Sequence, residues 1–443
     1  MTATVEEKST TLWFFKAGLA YYAVTLILGL LMLTGRGYTI FGSQGAKAAH
    51  VHAALLGFVT NIIIGSMYQI VPTLTGTKIY GGRLQAKQFT LFNIGVLGLF
   101  IAQLTLTGAL RTGFQIIFGA IIFTATLLFA SIVFKTTGET KSKIKPVTIP
   151  FFKAAIIFLL AGETLGIFTV IFPKFFSNLL LAKSAHAHLG TLGFITMTIF
   201  GAEYQMFPML SLRKLWSEAW AKLTFKAFTI GVAGFFTSLI FVRDGASLAE
   251  QQIASIMLTV FTAVLLIAIT RFLLNMTLTL KGAKWSKLDV SVKYLAAGHL
   301  FLIITAALGS AMAVFYHLGL IDWMIERGLA SASLSIYGLI WTHAHLALIG
   351  FVTLTIIGAM YHLTPMLVWM ERYGPKLGKE EVPNIPDLFS QKLAALILWV
   401  TVLGLFGMLF GSLYGITGLL RISAYIIAAA SFVFIAAMFR IMK

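Results

Sequence analysis

Hydrophobic residues run along this chain in long blocks, broken by short polar stretches that carry most of the charge. A block of about twenty residues wound as an α-helix rises 1.5 Å per residue and spans ~30 Å, the thickness of a bilayer's hydrocarbon core. The blocks predict twelve transmembrane helices, at about 12–34, 48–72, 89–110, 113–135, 149–173, 184–209, 222–242, 251–275, 292–317, 338–367, 391–413 and 420–441. The expected fold class is all-α, a polytopic membrane protein, with residues 1–443 forming a single integral membrane domain. The polar stretch Met1 to Thr11 leads straight into the first block without a small-residue cleavage site, and reads as the start of an uncleaved first helix rather than a signal peptide.

One block is written three times. Ala49-His50-Val51-His52 is followed by Gly57, Gly65, Tyr68 and Pro72; Ala185-His186-Ala187-His188 by Gly193, Gly201, Tyr204 and Pro208; Thr342-His343-Ala344-His345 by Gly350, Gly358, Tyr361 and Pro365. Counted from the second His, the offsets are +5, +13, +16 and +20 in every copy. The copies start 136 and 157 residues apart, room for four spans plus loops, so the twelve helices fall into three pseudo-symmetric four-helix repeats at about 1–140, 141–276 and 277–443. The marked helix is the second of each quartet, and such internal repeats place sites at repeat interfaces.

Successive helical residues are rotated by about 100°, so the two His of H-x-H point to roughly opposite sides. One helix therefore offers an imidazole to each of two neighbouring compartments instead of gripping one ion, for which His at i and i+4 would serve. The two Gly, eight residues apart, share a face and admit close approach by a helix or a flat ligand. Tyr at +16 suits the opposite membrane interface, although plain helix packing is the favoured reading for both the Gly and the Tyr positions. Imidazole is a common metal ligand and intramembrane ionisable groups mark function, so His50, His52, His186, His188, His343 and His345 are the candidate metal and cofactor ligands. His299, His317 and His362 stand outside the tripled pattern and read as hydrogen-bonded packing residues. Glu163 and Glu203 lie inside spans, where a carboxylate serves either proton handling or local hydrogen bonding. The counterparts of Glu203 are Ser66 and Ala359.

Composition narrows the chemistry. The chain is 58% hydrophobic and 11% charged, with mean hydropathy +0.91. It has no cysteine, which excludes disulfides, c-type haem attachment through C-x-x-C-H, cysteine-ligated iron–sulfur clusters and a thiolate copper centre within it. The net charge of +18 sits in the loops, so it orients the chain in the membrane and does not point to nucleic acid. Twenty Lys and Arg on the side of the even-to-odd loops, among them Lys141, Lys143, Lys145 and Arg271, face eight on the other, including Arg111 and Arg243. Both termini are then cytoplasmic in the inner, plasma membrane of a prokaryote, with the His-rich helix ends toward the outer face.

The third copy, from His343 to Pro365, resembles helix 10 of the haem-copper oxidase catalytic subunit, above all in the cbb-type oxidases, and the twelve-span, threefold layout is similar across the whole chain. The resemblance implies that His343 faces the high-spin haem between helices 6 and 10, and His345 the low-spin haem between helices 2 and 10. His50 or His52 supplies the other low-spin ligand, and threefold geometry favours His50. His188 matches a copper ligand of helix 6. That family, and the nitric oxide reductases with their non-haem iron, complete the second metal with two adjacent His on or beside helix 7. Helix 7 here, Lys222 to Val242, has none. The departures resemble NnrS-type haem-copper membrane proteins of nitric oxide metabolism, and helix 6 adds a spare His186.

Three bis-His pairs are then available: His50 with His345, His188 with His343, and His52 with His186. Two haem b groups, up to three, are expected, with copper left open. The leading functional reading is a membrane b-type haem protein for electron transfer or for reaction with a small gas, nitric oxide or oxygen. A second is a respiratory-chain oxidoreductase, a terminal oxidase or nitric oxide reductase catalytic subunit, whose second metal takes unusual ligands such as His299 or His317. A third is a non-redox metal transporter on the same fold. The redox readings need an external electron donor, either quinol or a separate cytochrome or cupredoxin-type protein, and leave room for a small partner subunit.

Overall fold

A computed structural model describes residues 5–139, 146–176, 178–241, 247–317, 326–327 and 336–443. Residues 1–4, Lys141, Lys143, Lys145 and Arg243, and the side chain of His317, lie outside the described residues. The long helices are α1 (Val5–Leu33), α2 (Ser43–Thr75), α3 (Leu84–Thr105), α4 (Gly108–Gly138), α5 (Thr148–Ile171) and α6 (179–210). They continue with α7 (Glu218–Phe241), α8 (Leu248–Thr279), α9 (Val290–His317), α10 (336–372), α11 (Gln391–Leu413) and α12 (Thr417–Ile441). Among the described residues there is no β-strand, only an isolated bridge between Leu377 and Glu380.

Eleven of these helices are long and apolar enough to cross a membrane. The twelfth expected span lies in α6, which has the length but is diluted by Lys183, His186, His188, Glu203 and Gln205. The chain is an all-α polytopic membrane protein. Its contacts gather into two compact units, Met1–Gly282 with α1–α8 and Ala283–Lys443 with α9–α12.

Each quartet is assembled by the same contacts, and these explain the repeated Gly and Tyr. In a membrane, helices gain nothing from hiding apolar surface from lipid and associate through close packing, which small residues permit. The Gly at +5 and +13 lie against two aromatic residues of the quartet's first helix, seven residues apart. A Cβ on Gly57 would stand 2.5 Å from Tyr21, and one on Gly65 2.8 Å from Phe14. For Gly193 and Gly201 the obstacles are Phe158 at 2.7 Å and Phe151 at 2.6 Å. For Gly350 and Gly358 they are Phe301 at 2.5 Å and Tyr294 at 2.8 Å. Helix packing is thus what both glycines serve.

The Tyr at +16 serves helix packing, the favoured of its two readings. Tyr68, Tyr204 and Tyr361 are buried, each between an aromatic ring of the first helix and a Phe of the fourth. Ring centroids are 5.8 and 5.7 Å apart for Tyr68 with Phe14 and Phe129, and 5.5 and 5.4 Å for Tyr204 with Phe151 and Phe272. They are 5.7 and 5.6 Å for Tyr361 with Tyr294 and Phe434. Rings at these distances attract beyond their buried area.

The third helix of each quartet carries a second motif, Gly-x-x-Gly, against the fourth. Gly95 and Gly98 meet Ile122 and Phe118, Gly231 and Gly234 meet Leu265 and Phe261, and Gly404 and Gly407 meet Ile427 and Ser423. Close approach there makes tight hairpins of α3–α4, α7–α8 and α11–α12.

Overpacking a tight helix contact costs about 1–3 kcal/mol, whereas filling open space at a helical Gly gains up to about 1 kcal/mol. Gly201→Ala should therefore lower the thermal unfolding midpoint in detergent micelles. Gly113→Ala, whose Cβ would meet nothing within 4 Å, should leave the midpoint unchanged or raise it.

Candidate metal centre

The three marked helices change their winding at one place. Each begins as regular α-helix through H-x-H (Ser43–His52, Leu179–His188, Ile336–His345), passes into eight residues of π-helix (Ala53–Thr60, Leu189–Thr196, Leu346–Thr353) and then returns to α. Wide i→i+5 turns are rare and gather at functional sites. A threonine closes each segment, and Thr60 and Thr353 donate Oγ1–H to the carbonyls five residues back, Leu55 and Leu348, at 2.8 Å. Rotation by 100° per residue therefore does not carry across the boundary. It does hold within H-x-H, since both His stand on the α-helical side.

The first His of each pair lies on a glycine of the quartet's first helix. A Cβ on Gly29 would come within 3.0 Å of the His50 ring, on Gly166 within 2.7 Å of His186, and on Gly309 within 2.8 Å of His343. Each of these glycines stands eight residues after the aromatic that packs the +5 Gly. The His186 ring is held further by its Nδ1, 2.7 Å from the Gly162 carbonyl on α5.

The second His of each pair is held by its own helix. Nδ1 of His52 lies 2.9 Å from the Ala48 carbonyl, that of His188 2.8 Å from Ser184, and that of His345 2.8 Å from Trp341. A carbonyl only accepts, so these contacts require the proton on Nδ1 and leave the Nε2 lone pair as a ligand. This is the arrangement by which proteins fix the tautomer and orientation of metal-binding imidazoles. Gln103 and the Ser184 hydroxyl add a second polar contact to Nδ1 of His52 and His188, at 3.1 and 3.4 Å.

Two sites of the sequence reading come together inside the first unit. His52 on α2 and His186 on α6 have ring centroids 6.3 Å apart with planes at 44°. His188 faces α7, and there the ring it meets is Phe235, with centroids 5.1 Å apart. In the second unit the His345 ring stacks on Trp341 at 4.2 Å. His299 is buried on α9 and His362 is half-buried on α10. Among the described residues no group of three or more His, Asp and Glu is arranged to hold a metal ion.

The two intramembrane carboxylates differ. Glu163 accepts a 2.8 Å hydrogen bond from Thr126 Oγ1 through one oxygen, while its other oxygen is buried without a partner. Glu203 is 2% exposed on α6, four turns beyond the His pair.

No protein-family model and no curated protein matches the chain. Solved structures do. A heme-copper terminal oxidase solved as a dimer by cryo-EM superposes with a TM-score of 0.68 at 16% identity, covering 99% of this chain and 83% of the oxidase chain. This chain has the haem-copper oxidase fold.

The first-helix glycines, Phe235 and the π-helices escape a reading of H-x-H alone. The first could have been found by aligning the quartets, which puts Gly29, Gly166 and Gly309 in register. The same alignment shows Gly-Phe-Val-Thr, or Gly-Phe-Ile-Thr, at +5 to +8 of every marked helix.

Two imidazoles on one tetrahedral ion, at metal–nitrogen distances of about 2.0–2.1 Å, have ring centres roughly 5 Å apart. Phe235→His should therefore convert the His188 environment into a two-imidazole site. Anaerobic titration of the purified variant should show about one more tightly held copper or zinc ion per chain than the parent. An unchanged metal count would mean that the rings cannot turn toward a shared ion.

Proposed function

We propose that the chain is a membrane-embedded b-type haem protein that carries electrons, or reacts with a small gas such as nitric oxide or oxygen, without the copper half of an oxidase centre. The observation that carries this reading is the contrast between the two kinds of ring position. The second imidazole of every H-x-H has its Nδ1 committed to a carbonyl, whereas the neighbour of His188 on α7 is the apolar ring of Phe235.

The donor set fits haem iron. His50, His52, His186, His188, His343 and His345 are imidazoles on helices whose backbone is otherwise satisfied, and no thiolate competes, since the chain has no cysteine. Bound haem would supply a one-electron couple and, where one axial position stays open, a place for a gas to bind. The protein's part is to hold the rings, exclude water and set the potential through burial and axial ligation. His343 and His345 are assigned to the two haems expected from the resemblance, and the third copy matches the oxidase pattern along its whole length. Reducing equivalents come from quinol or a separate donor protein, because this chain contains neither a c-type haem motif nor a thiolate copper site. The charge asymmetry of the loops supports both termini on the cytoplasmic side of a prokaryotic plasma membrane.

Protein purified after expression with ample haem should show Soret and α bands on reduction, with at least two irons per chain and little copper. His345→Ala should remove about one haem per chain. Carbon monoxide added to the reduced protein separates the two activities: a shifted Soret band assigns gas chemistry, and an unmoved one assigns electron transfer alone. A colourless preparation with no iron would overturn the redox reading in favour of a metal transporter on the same scaffold.

A further inference from the structure

We propose that His52 and His186 form a third metal centre, with two imidazoles trans across one metal, lodged between α2 and α6 inside the first unit. It uses neither His50 and His188 nor the α10 histidines, so it is distinct from the centres carried over from the oxidase pattern.

The spacing points to it. A metal held by two imidazoles on opposite sides puts each nitrogen about 2.0–2.1 Å from the metal, and each ring centre lies roughly 1 Å behind its nitrogen, giving centres about 6 Å apart. The observed separation is 6.3 Å.

Polarity points the same way. The Nδ1 of His52 lies 2.9 Å from the Ala48 carbonyl and the Nδ1 of His186 2.7 Å from the Gly162 carbonyl. With the proton on Nδ1, the neutral form of each ring has Nε2 as its acceptor. Two acceptors cannot hydrogen-bond to each other, so the pair needs a cation or a doubly donating water between them. A bilayer interior leaves buried polar groups costly unless they are matched.

The surroundings hold both rings in place. Gly166 lets the His186 ring seat against α5, and the Gln103 side chain lies 3.1 Å from the His52 ring. Two ligands suit metals of this linear or axial kind, either haem iron or a lone cuprous ion, and both would use the same two nitrogens.

The haem version rests on the reading of the chain as a haem protein; the cuprous version does not. The test compares the purified parent chain with His52→Ala and His186→Ala, measuring iron, copper and pyridine-haemochrome content per chain, with His345→Ala as a reference that removes a different centre. Loss of about one haem per chain in both variants, additive with the His345→Ala loss, supports haem iron. Loss of about one copper per chain with iron unchanged supports the cuprous site. Unchanged iron and copper in both variants overturns the proposal and leaves a water-bridged pair.

Should the alanine variants fold poorly, His186→Met keeps an axial ligand. Methionine opposite histidine raises a haem potential, so the potentiometric titration should show one haem transition moved upward and the others fixed. No transition moving in a folded, fully haem-loaded His186→Met protein also overturns the haem version. If the parent itself lacks haem but holds copper that these variants lose, the function proposed above fails while the site stands.

Discussion

The structure depends on one constraint: an imidazole placed among lipid-facing helices must settle its N–H on a protein carbonyl. Water is absent from the bilayer core, and an unmatched polar group there costs several kcal/mol. His52, His188 and His345 meet the constraint by turning Nδ1 back to the carbonyl of residue i−4, one turn earlier on the same helix. The choice settles tautomer and direction together. It places the proton on Nδ1 and leaves Nε2, away from its own backbone, as the nitrogen that a metal would take. First histidines are handled differently, with the ring laid over a glycine of the neighbouring helix, so H-x-H carries two imidazoles held by two unrelated means.

Much of the architecture is legible in the sequence because lipid imposes a length on every apolar block. The helices sit where the blocks predict them, and the spacing of H-x-H, Gly, Gly and Tyr marks the second helix of each quartet. What the pattern hid was direction. The Tyr at +16 reads as a packing residue, but only the fold shows that Tyr68, Tyr204 and Tyr361 are each clamped between two other rings. The π-helices were invisible because Ala53–Thr60, Leu189–Thr196 and Leu346–Thr353 are apolar and threonine-ended, composition that suits α-helix as well. The winding is a tertiary outcome. The proximity of His52 to His186 was suggested by threefold counting, but only the coordinates supply its distance.

Symmetry separates scaffold from chemistry. Contacts found in all three quartets are those any such quartet needs: glycine against aromatic, tyrosine between rings, Gly-x-x-Gly in the hairpin, imidazole on glycine. Contacts found in one quartet are candidates for a specific task. Alignment through the Gly-x-x-Gly pairs brings Gln103 of α3, Leu239 of α7 and Ser412 of α11 to one position. Gln103 touches His52, and Ser412 shares a short hydrogen bond with Thr342, the residue before His343. Leu239 offers no polar group, and four residues earlier Phe235 covers His188. At the position of Leu239 the third helix of the second quartet is apolar where those of the other quartets are polar.

That same quartet holds both intramembrane carboxylates, Glu163 and Glu203, and the contact of His186 to Gly162. Glu163 directly follows Gly162 in α5, so the peptide that anchors His186 and the carboxyl bound by Thr126 belong to one helical turn. The polar groups that meet the imidazoles of the first unit from other helices come from α5 for His186 and from α3 for His52, whereas α7 meets His188 with the ring of Phe235.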